Sequence, residues 1–291
     1  MNIARLGSVG AAANAMSLTQ PAVSRTLRRL EQQLGVKLFV RHSTGMELTT
    51  FGQSLLPHAA ALENDLKRAL LEIDQLKGAS KGVVRVGILA SLAPEHLPKV
   101  LNNLLPKLPG IQLQIVEGPT HQLAFALLRG DIDFAVAAVS PEGTDESITV
   151  NVLAQDDICI VGRSGHPLLG KKSVRFEDLC GYQWVLHEKG GSIWRYFQMM
   201  FAARNMELPS VVLTGNSIQT LTSIVISSDL LTMLPRVCIR DEEHKKLLLP
   251  IPVREAHWQR QIAILRRSTS PMLPAASVVM SEFRKAFLAS A

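Results

Sequence analysis

The chain has 291 residues, 47% hydrophobic but only 5% aromatic, which allows more than one compact unit with cores filled mainly by aliphatic side chains. Its three cysteines are odd in number and form no CxxC pair, which fits reduced, mostly buried thiols better than a disulfide framework. The formal charge of +6 is unevenly spread: residues 1–50 hold Arg5, Arg25, Arg28, Arg29, Lys37 and Arg41 against Glu31 and Glu47, a surplus of +4, as in a nucleic-acid-binding head on a near-neutral body.

In chain order, Gly7–Met16 reads as a short helix started by Ser8, and Ser17-Leu18 as a turn. Thr19 is the expected N-cap of a second helix that carries Pro21 in its first turn, runs to Leu34 and stops at Gly35. VKLFVRHSTGMELT then gives two short β runs around Ser43-Thr44-Gly45, a hairpin or wing. A long helix begins at Thr49 or Thr50, where Thr50 and Gln53 have capping-box spacing. Leu55, Ala59, Leu62, Leu66, Ala69, Ile73 and Leu76 alternate steps of four and three, the a/d seam of a coiled coil, with Glu63, Asp65, Lys67, Arg68, Glu72 and Asp74 off the seam. The same pattern also fits an amphipathic helix packed on its own domain. Pro57, inside this helix, predicts a local bend.

Gly78–Gly82 (GASKG) reads as a polar linker. Beyond it β-type runs at 83–89, 111–118, 132–139 and 158–162 alternate with helical segments near 94–106 and 120–129. RSGHPL (163–168) looks like a crossover, and a second set follows: runs at 182–187, 210–215, 230–235 and 246–251 with helices at 192–204 and 217–227. Residues 261–267 resemble a strand returning to the first half, and 274–288 a closing helix. This alternation predicts a largely parallel sheet in two α/β lobes with a ligand cleft between them.

On the helix from Gln20 to Leu34, an advance of 100° per residue gathers Val23, Leu27, Leu30 and Leu34 into a buried stripe. Pro21, Arg25, Arg28 and Gln32 fall opposite, with Ser24 on the flank and Gln20 at the start. A helix of this kind fits the major groove, where Gln20 has the chemistry to pair with adenine and Arg25 with guanine. Arg28, Arg29 and Lys37 are expected to hold phosphates, and Arg41, at the base of the wing, to meet the minor groove or the backbone. Singly, any of these cations also fits a merely solvated helix face.

No complete nucleophile elbow is present: Gly162-Arg163-Ser164-Gly165-His166 lacks the final glycine of GxSxG. There is no P-loop, GxGxxG or HExxH, and the eight histidines show no metal-ligand spacing, so neither an enzyme, nor a cofactor, nor a metal is expected. A transport solute-binding protein would use the same two-lobed body, but the basic head and the missing apolar h-region oppose that reading. No apolar run reaches the roughly 18–20 residues that span a bilayer, so a cytoplasmic protein without a membrane partner is expected.

The segment SLTQPAVSRTLRRLEQQLGVKLFVR (17–41) resembles the helix-turn-helix signature of LysR-type transcriptional regulators. The similarity continues through LTTFGQSLLPHA (48–59), the VGILAS start of the following module, GDIDFAV (130–136) and GHPL (165–168). It implies an α/β protein overall: a winged helix-turn-helix (1–48), a long linker and dimerisation helix (49–78), and a two-lobed, periplasmic-binding-protein-like effector domain. The first lobe would be 83–162 with 262–291 and the second 163–261. It implies double-stranded promoter DNA, a small-molecule effector, further copies of the chain as dimer or tetramer, and RNA polymerase as partners.

By position, the resemblance gives DNA-contacting roles to Gln20, Pro21, Ala22, Ser24 and Arg25, and that of the wing arginine to Arg41. It places the effector against Ala90-Ser91-Leu92, Gly118-Pro119-Thr120-His121, Gly190-Gly191-Ser192 and Gly215-Asn216-Ser217. Ser91 and Thr120, expected at helix N-termini, suit an anion, so a carboxylate or otherwise acidic or polyhydroxylated metabolite is expected. Ser91, Thr120 and Ser192 also fit simple capping roles, and Arg195 is a further carboxylate-pairing candidate. One departure stands out: the family places a full helix before the Gly-Ser that is here Gly7-Ser8, where only MNIARL precedes it. The expectation is a reading frame that begins upstream of Met1, or else weaker DNA binding.

Overall fold

A computed structural model describes residues 1–43, 45–76, 82–139, 143, 145–253, 256, 258–268 and 272–288, and no side chain at 67, 68, 71, 72 or 74–76. The wing tip Thr44, linker residues 78–81 and the side chains of Lys67, Arg68, Glu72, Asp74 and Leu76 lie outside this description. Contacts divide the chain into two units, Met1–Asp74 with Arg129–Asp131, and Gln75–Leu128 with Ile132–Ala291.

In the first unit, α1 (Asn2–Leu6) ends at Gly7, whose φ of 65° is left-handed, and α2 (Val9–Ala15) starts where the Ser8 hydroxyl accepts from the Ala11 N–H. Ala12 and Ala13 are buried, and having nothing beyond Cβ they let α3 (Gln20–Leu34) approach closely. Gly35 ends α3 at φ 69°, as its place in the sequence predicts. The wing is an antiparallel pair, β1 (Phe39–His42) with β2 (Gly45–Leu48). The long helix α4 (Thr50–Leu76) runs unbroken through Pro57. Its cap is Thr49 rather than the Thr50 box: the Thr49 hydroxyl accepts from the Gly52 N–H at 3.1 Å and donates to the Lys37 carbonyl at 2.6 Å. A Cβ on Gly52 would lie 2.2 Å from the Leu38 carbonyl oxygen, so only glycine lets α4 start this close to the wing.

The second unit carries a seven-stranded sheet. β3 (Gly82–Ile88), β4 (Ile111–Glu117) and β5 (Phe134–Ala138) are parallel, with α5 (Ala93–Leu104) and α6 (Thr120–Leu128) as crossovers. β6 (Ile148–Arg163) and β11 (Trp258–Arg267) then run antiparallel along ten paired residues, with one register shift between Ile262 and Ala263. β9 (Thr232–Pro235) and β10 (Leu248–Pro250) flank β6, also antiparallel, while β7 (Trp184–His187) and β8 (Val211–Gly215) make a separate parallel pair. The expected largely parallel sheet therefore holds only for β4-β3-β5 and β7-β8. The reason is topological: β6 and β11 are the two crossovers themselves, one leaving the first half and one returning. Residues 148–157, read as no element in the sequence, form most of β6: Ile148, Val150 and Val152 alternate with Thr149 and Asn151, and these five pair with β11.

Two main cores follow. One gathers Val86, Ile88, Leu123, Phe134 and Ile264 under α10 (Pro274–Leu288), whose Phe283 sits edge-on to Phe134. The other packs Ile158, Ile160 and Trp184 against Phe197 and Phe201 of α7 (Ser192–Ala202). A smaller cluster joins Val161 and Leu234 to Leu221 and Val225 of α8 (Ile218–Ile226). The short helix α9 (Arg240–His244), unforeseen in the sequence, leads into β10. The GHPL histidine is structural: buried His166 accepts from the Leu168 N–H and bonds the Asp229 carbonyl through its other nitrogen. Cys159 and Cys238 are partly buried as expected, but Cys180 is exposed.

His96 on α5 is 4% exposed and stacks on Phe287 at 3.7 Å. Burial lowers its pKa to about 4, with Lys99 and Arg240 lowering it further against the pull of Glu95. The folded state thus binds fewer protons than the unfolded state between the usual 6.5 and about 4, so stability is full above that window and falls as pH drops through it. The expected loss is on the order of 3 kcal/mol at the acid end. Melting curves should show that His96→Leu flattens this slope.

Candidate nucleic-acid interface and ligand cleft

In α3, Val23 and Glu31 are the buried residues. Val23 joins Ile3, Ala12 and Ala13, with Leu27 half-buried against this core. The expected stripe of four holds only in its first half, because Leu30 and Leu34 are 42% and 46% exposed and no described element covers them. The second anchor is polar. The Glu31 carboxylate accepts from the Leu38 N–H at 2.9 Å, from the Phe39 N–H at 3.4 Å, and pairs with the Lys37 ammonium at 2.7 Å. Burial opposes its ionisation, but Lys37 and the two N–H groups outweigh burial and hold its pKa below the usual value. Lys37, expected on phosphate, is therefore engaged in the strap from recognition helix to wing. The helical wheel could not reveal this strap, since Glu31 lies on the flank of the stripe and its partners come from beyond Gly35.

What remains of α3 faces outward. Gln20, Pro21, Arg25, Arg28 and Arg29 are exposed, and Ala22 and Ser24 half-buried. Arg41 is exposed on β1 opposite Met46. α3 and the wing thus carry four exposed arginines and an exposed glutamine with no hydrogen bond or ion pair among the described residues.

In the second unit a cavity of about 910 Å³ opens between the two main cores. Ser91, Thr120, His121, Ser192, Asn216 and Ser217 all line it, brought together from four loops. Their local roles differ from simple capping in three cases. Ser91 precedes Leu92, the N-cap of α5, and its Oγ accepts from Arg260 instead. Thr120 opens α6 and donates its hydroxyl to the Ala138 carbonyl at 3.2 Å. Ser192 is the first residue of α7, whose N-cap is Gly191, with no side-chain cap. Ser217 does cap α8, accepting from the Thr220 N–H at 3.2 Å. Arg195 also lines the cavity.

Sequence reasoning missed Arg260 and His187, both on the cavity wall. Arg260, 7% exposed, pairs with Asp156 directly across β6 and β11 at 2.7 Å. Burial raises the Asp156 pKa against the pull of Arg260. Burial lowers that of His187, and Arg260 lowers it further, while Glu188 and a hydrogen bond to the Asn216 backbone act the other way. Burial also pushes the Cys238 thiol, which donates to the Ser91 carbonyl, up to about 12, so it is an unreactive thiol. Among the described residues no group of three His, Cys, Asp or Glu side chains is placed to hold a metal, and no helix is long and apolar enough to cross a membrane.

Residues 1–53 match the family described as "Bacterial regulatory helix-turn-helix protein, lysR family", and residues 77–288 match "LysR substrate binding domain". The chain is 29% identical over 225 residues to the HTH-type transcriptional regulator GbpR of Rhizobium radiobacter, covering 77% of this chain and 74% of that protein. It is 27% identical over 275 residues to a probable nitrogen assimilation transcriptional activator of Synechococcus elongatus, covering 94% and 88%. Among solved structures, ArgP of Mycobacterium tuberculosis shares the fold with a TM-score of 0.71 at 18% identity, over 98% of this chain and 94% of that one.

Glu31→Gln should cost the head unit about 1–3 kcal/mol, the range for a charge-assisted hydrogen bond to a buried group. Because the folded pKa of Glu31 is depressed, its contribution is present above pH 4.5 and lost as pH falls below, so the two proteins' denaturation midpoints should converge in acid.

Proposed function

Because the chain belongs to the LysR family of DNA-binding transcriptional regulators, with an effector-binding domain behind its helix-turn-helix head, we propose that α3 reads a promoter while a small acidic or polyhydroxylated metabolite in the cleft controls the outcome. The observation that carries this is the surface of α3: sunk at Val23 and Glu31, it leaves Gln20, Arg25, Arg28 and Arg29 outward. Gln20 and Arg25 contact base edges, and Arg28, Arg29 and Arg41 the phosphate backbone. Pro21, Ala22 and Ser24, beside them on the first turns, lie against the duplex. In the cleft, Ser91, Thr120, His121, Ser192, Asn216 and Ser217 surround the effector, whose binding shifts the balance between arrangements of the domain.

LysR regulators form oligomers, and α4 supports pairing here through its own seam. Leu62, Leu66 and Ile73 are 72%, 63% and 48% exposed, a stripe that a lone helix would leave in water. A second copy of α4 covers it, giving two heads for a two-fold site. Such a protein acts in the cytoplasm, where promoter and RNA polymerase meet.

The test is a mobility shift on the DNA upstream of the protein's own gene, with base-pair variants across the bound site. Arg25→Ala should relax preference at one base pair per half-site, removing about 1–3 kcal/mol of discrimination there. Leu62→Glu with Leu66→Glu should halve the mass found by light scattering and abolish high-affinity binding. Unchanged base preference in the first variant and unchanged mass in the second would refute these two assignments.

A further inference from the structure

Resting on the reading of the cleft as the effector site, we propose that Arg260, positioned by Asp156, reads an acidic group, so that the effector is an organic acid carrying one carboxylate rather than a neutral polyol. The geometry is specific. Arg260 stands on β11 and Asp156 opposite it on β6, the two strands shared by both cores. Nε and Nη2 of Arg260 both donate to Asp156 Oδ2, at 3.0 and 2.7 Å, and Nη2 also donates to Ser91 Oγ at 3.0 Å. These bonds use three of the five guanidinium N–H groups. The two on Nη1 have no partner among the described residues, and Nη1 is not among the sealed, unsatisfied atoms, so it is reachable from the cavity that Arg260 lines.

Two hydroxyls on the cavity wall add donors to this excess. Ser91 Oγ already accepts from Arg260 and Ser217 Oγ from the Thr220 N–H, which leaves the hydrogen of each hydroxyl to donate. Donors spread along this wall match a carboxylate, which only accepts. Thr120 is the exception: it spends its hydrogen on Ala138 and offers lone pairs, which suit a hydroxyl elsewhere on the same acid. Glu117, Asp145 and Glu188 also line the cavity, against Arg195 and Arg260, so a second negative charge on the ligand meets repulsion. Asp156 is the internal counter-ion: it keeps the guanidinium compensated when the cleft is empty and aims the Nη1 edge outward. Sequence reading found neither residue, because Asp156 looks like a turn carboxylate until β6 and β11 are paired.

The experiment screens the full chain by thermal melting, then calorimetry, against a panel of three- to eight-carbon hydroxy acids, each beside its primary amide and its parent polyol. Acids should stabilise and their amides should not. Since Arg260→Met alone leaves Asp156 buried without a counter-ion and threatens the fold, the decisive variant is Arg260→Met with Asp156→Asn, which should keep the melting temperature while losing at least about tenfold in acid affinity. Asp156→Asn alone, which loosens the aim of Arg260, should weaken acid binding by less than the double variant, and unchanged acid binding would remove the positioning role of Asp156. A second control, Asn216→Trp, fills the cleft. If amides or polyols bind as well as acids, or acid affinity is unchanged in the double variant, or no acid binds, the role of Arg260 is overturned. In the first two cases, ligands still displaced by Asn216→Trp leave the cleft reading intact, whereas ligands indifferent to it overturn both.

Discussion

α3 is tied into its unit by one apolar and one polar anchor, Val23 near its start and Glu31 near its end. Burying a valine contributes roughly 1.5–3 kcal/mol, and the Glu31 carboxylate adds three hydrogen bonds reaching the wing and Lys37. With two fixed points on one side, Val23 and Glu31 set the direction of Arg25 and Arg28 on the opposite face, while Gln20 stands exposed at the helix start. Thr49 extends the constraint: its hydroxyl caps α4 while bonding the Lys37 carbonyl, and Gly52 lets α4 approach the Leu38 carbonyl. Recognition helix, wing and the start of the long helix thus share the short stretch Lys37–Phe39.

The second unit answers a different requirement. β6 and β11 are the elements common to both cores around its cavity. The two long antiparallel strands carry a single register shift between Ile262 and Ala263, where a bulge bends the pair and increases its local twist. The Arg260–Asp156 pair lies on the same two strands, close to that shift, so a ligand group that engages Arg260 acts directly on the element that both cores share. Coupling of this kind needs only a difference in ligand affinity between two arrangements of the strands.

Much of this was legible in the sequence where local rules suffice. Gly35, Thr19 with Pro21, and the alternating runs of the second unit placed helices and strands within a few residues, and the six cleft residues named from the family resemblance line one cavity. What was not legible depends on partners distant along the chain. Of the ten residues before Ile158, the first five alternate as a strand does, but Leu153–Asp157 break that alternation, and only β11 beside them shows that the strand continues. Leu30 and Leu34 look buried on a wheel, yet burial requires something to cover them. Glu31 looks like an ordinary helix carboxylate, because the N–H groups that hold it belong to Leu38 and Phe39 after the turn. Arg260 follows the same logic, its meaning supplied by Asp156 more than a hundred residues earlier.

We propose that the outward arginines of α3 meet the phosphate backbone of DNA in an orientation that Val23 and Glu31 fix. The most direct measurement is the affinity for the upstream promoter fragment, by fluorescence anisotropy, as a function of salt concentration. Log affinity should fall linearly with log salt, with a slope of about −0.9 for each phosphate neutralised, and Arg28→Ala with Arg29→Ala should make the slope shallower by about two such steps. A slope near zero in the unaltered protein, or one unmoved by removing both arginines, would contradict the account.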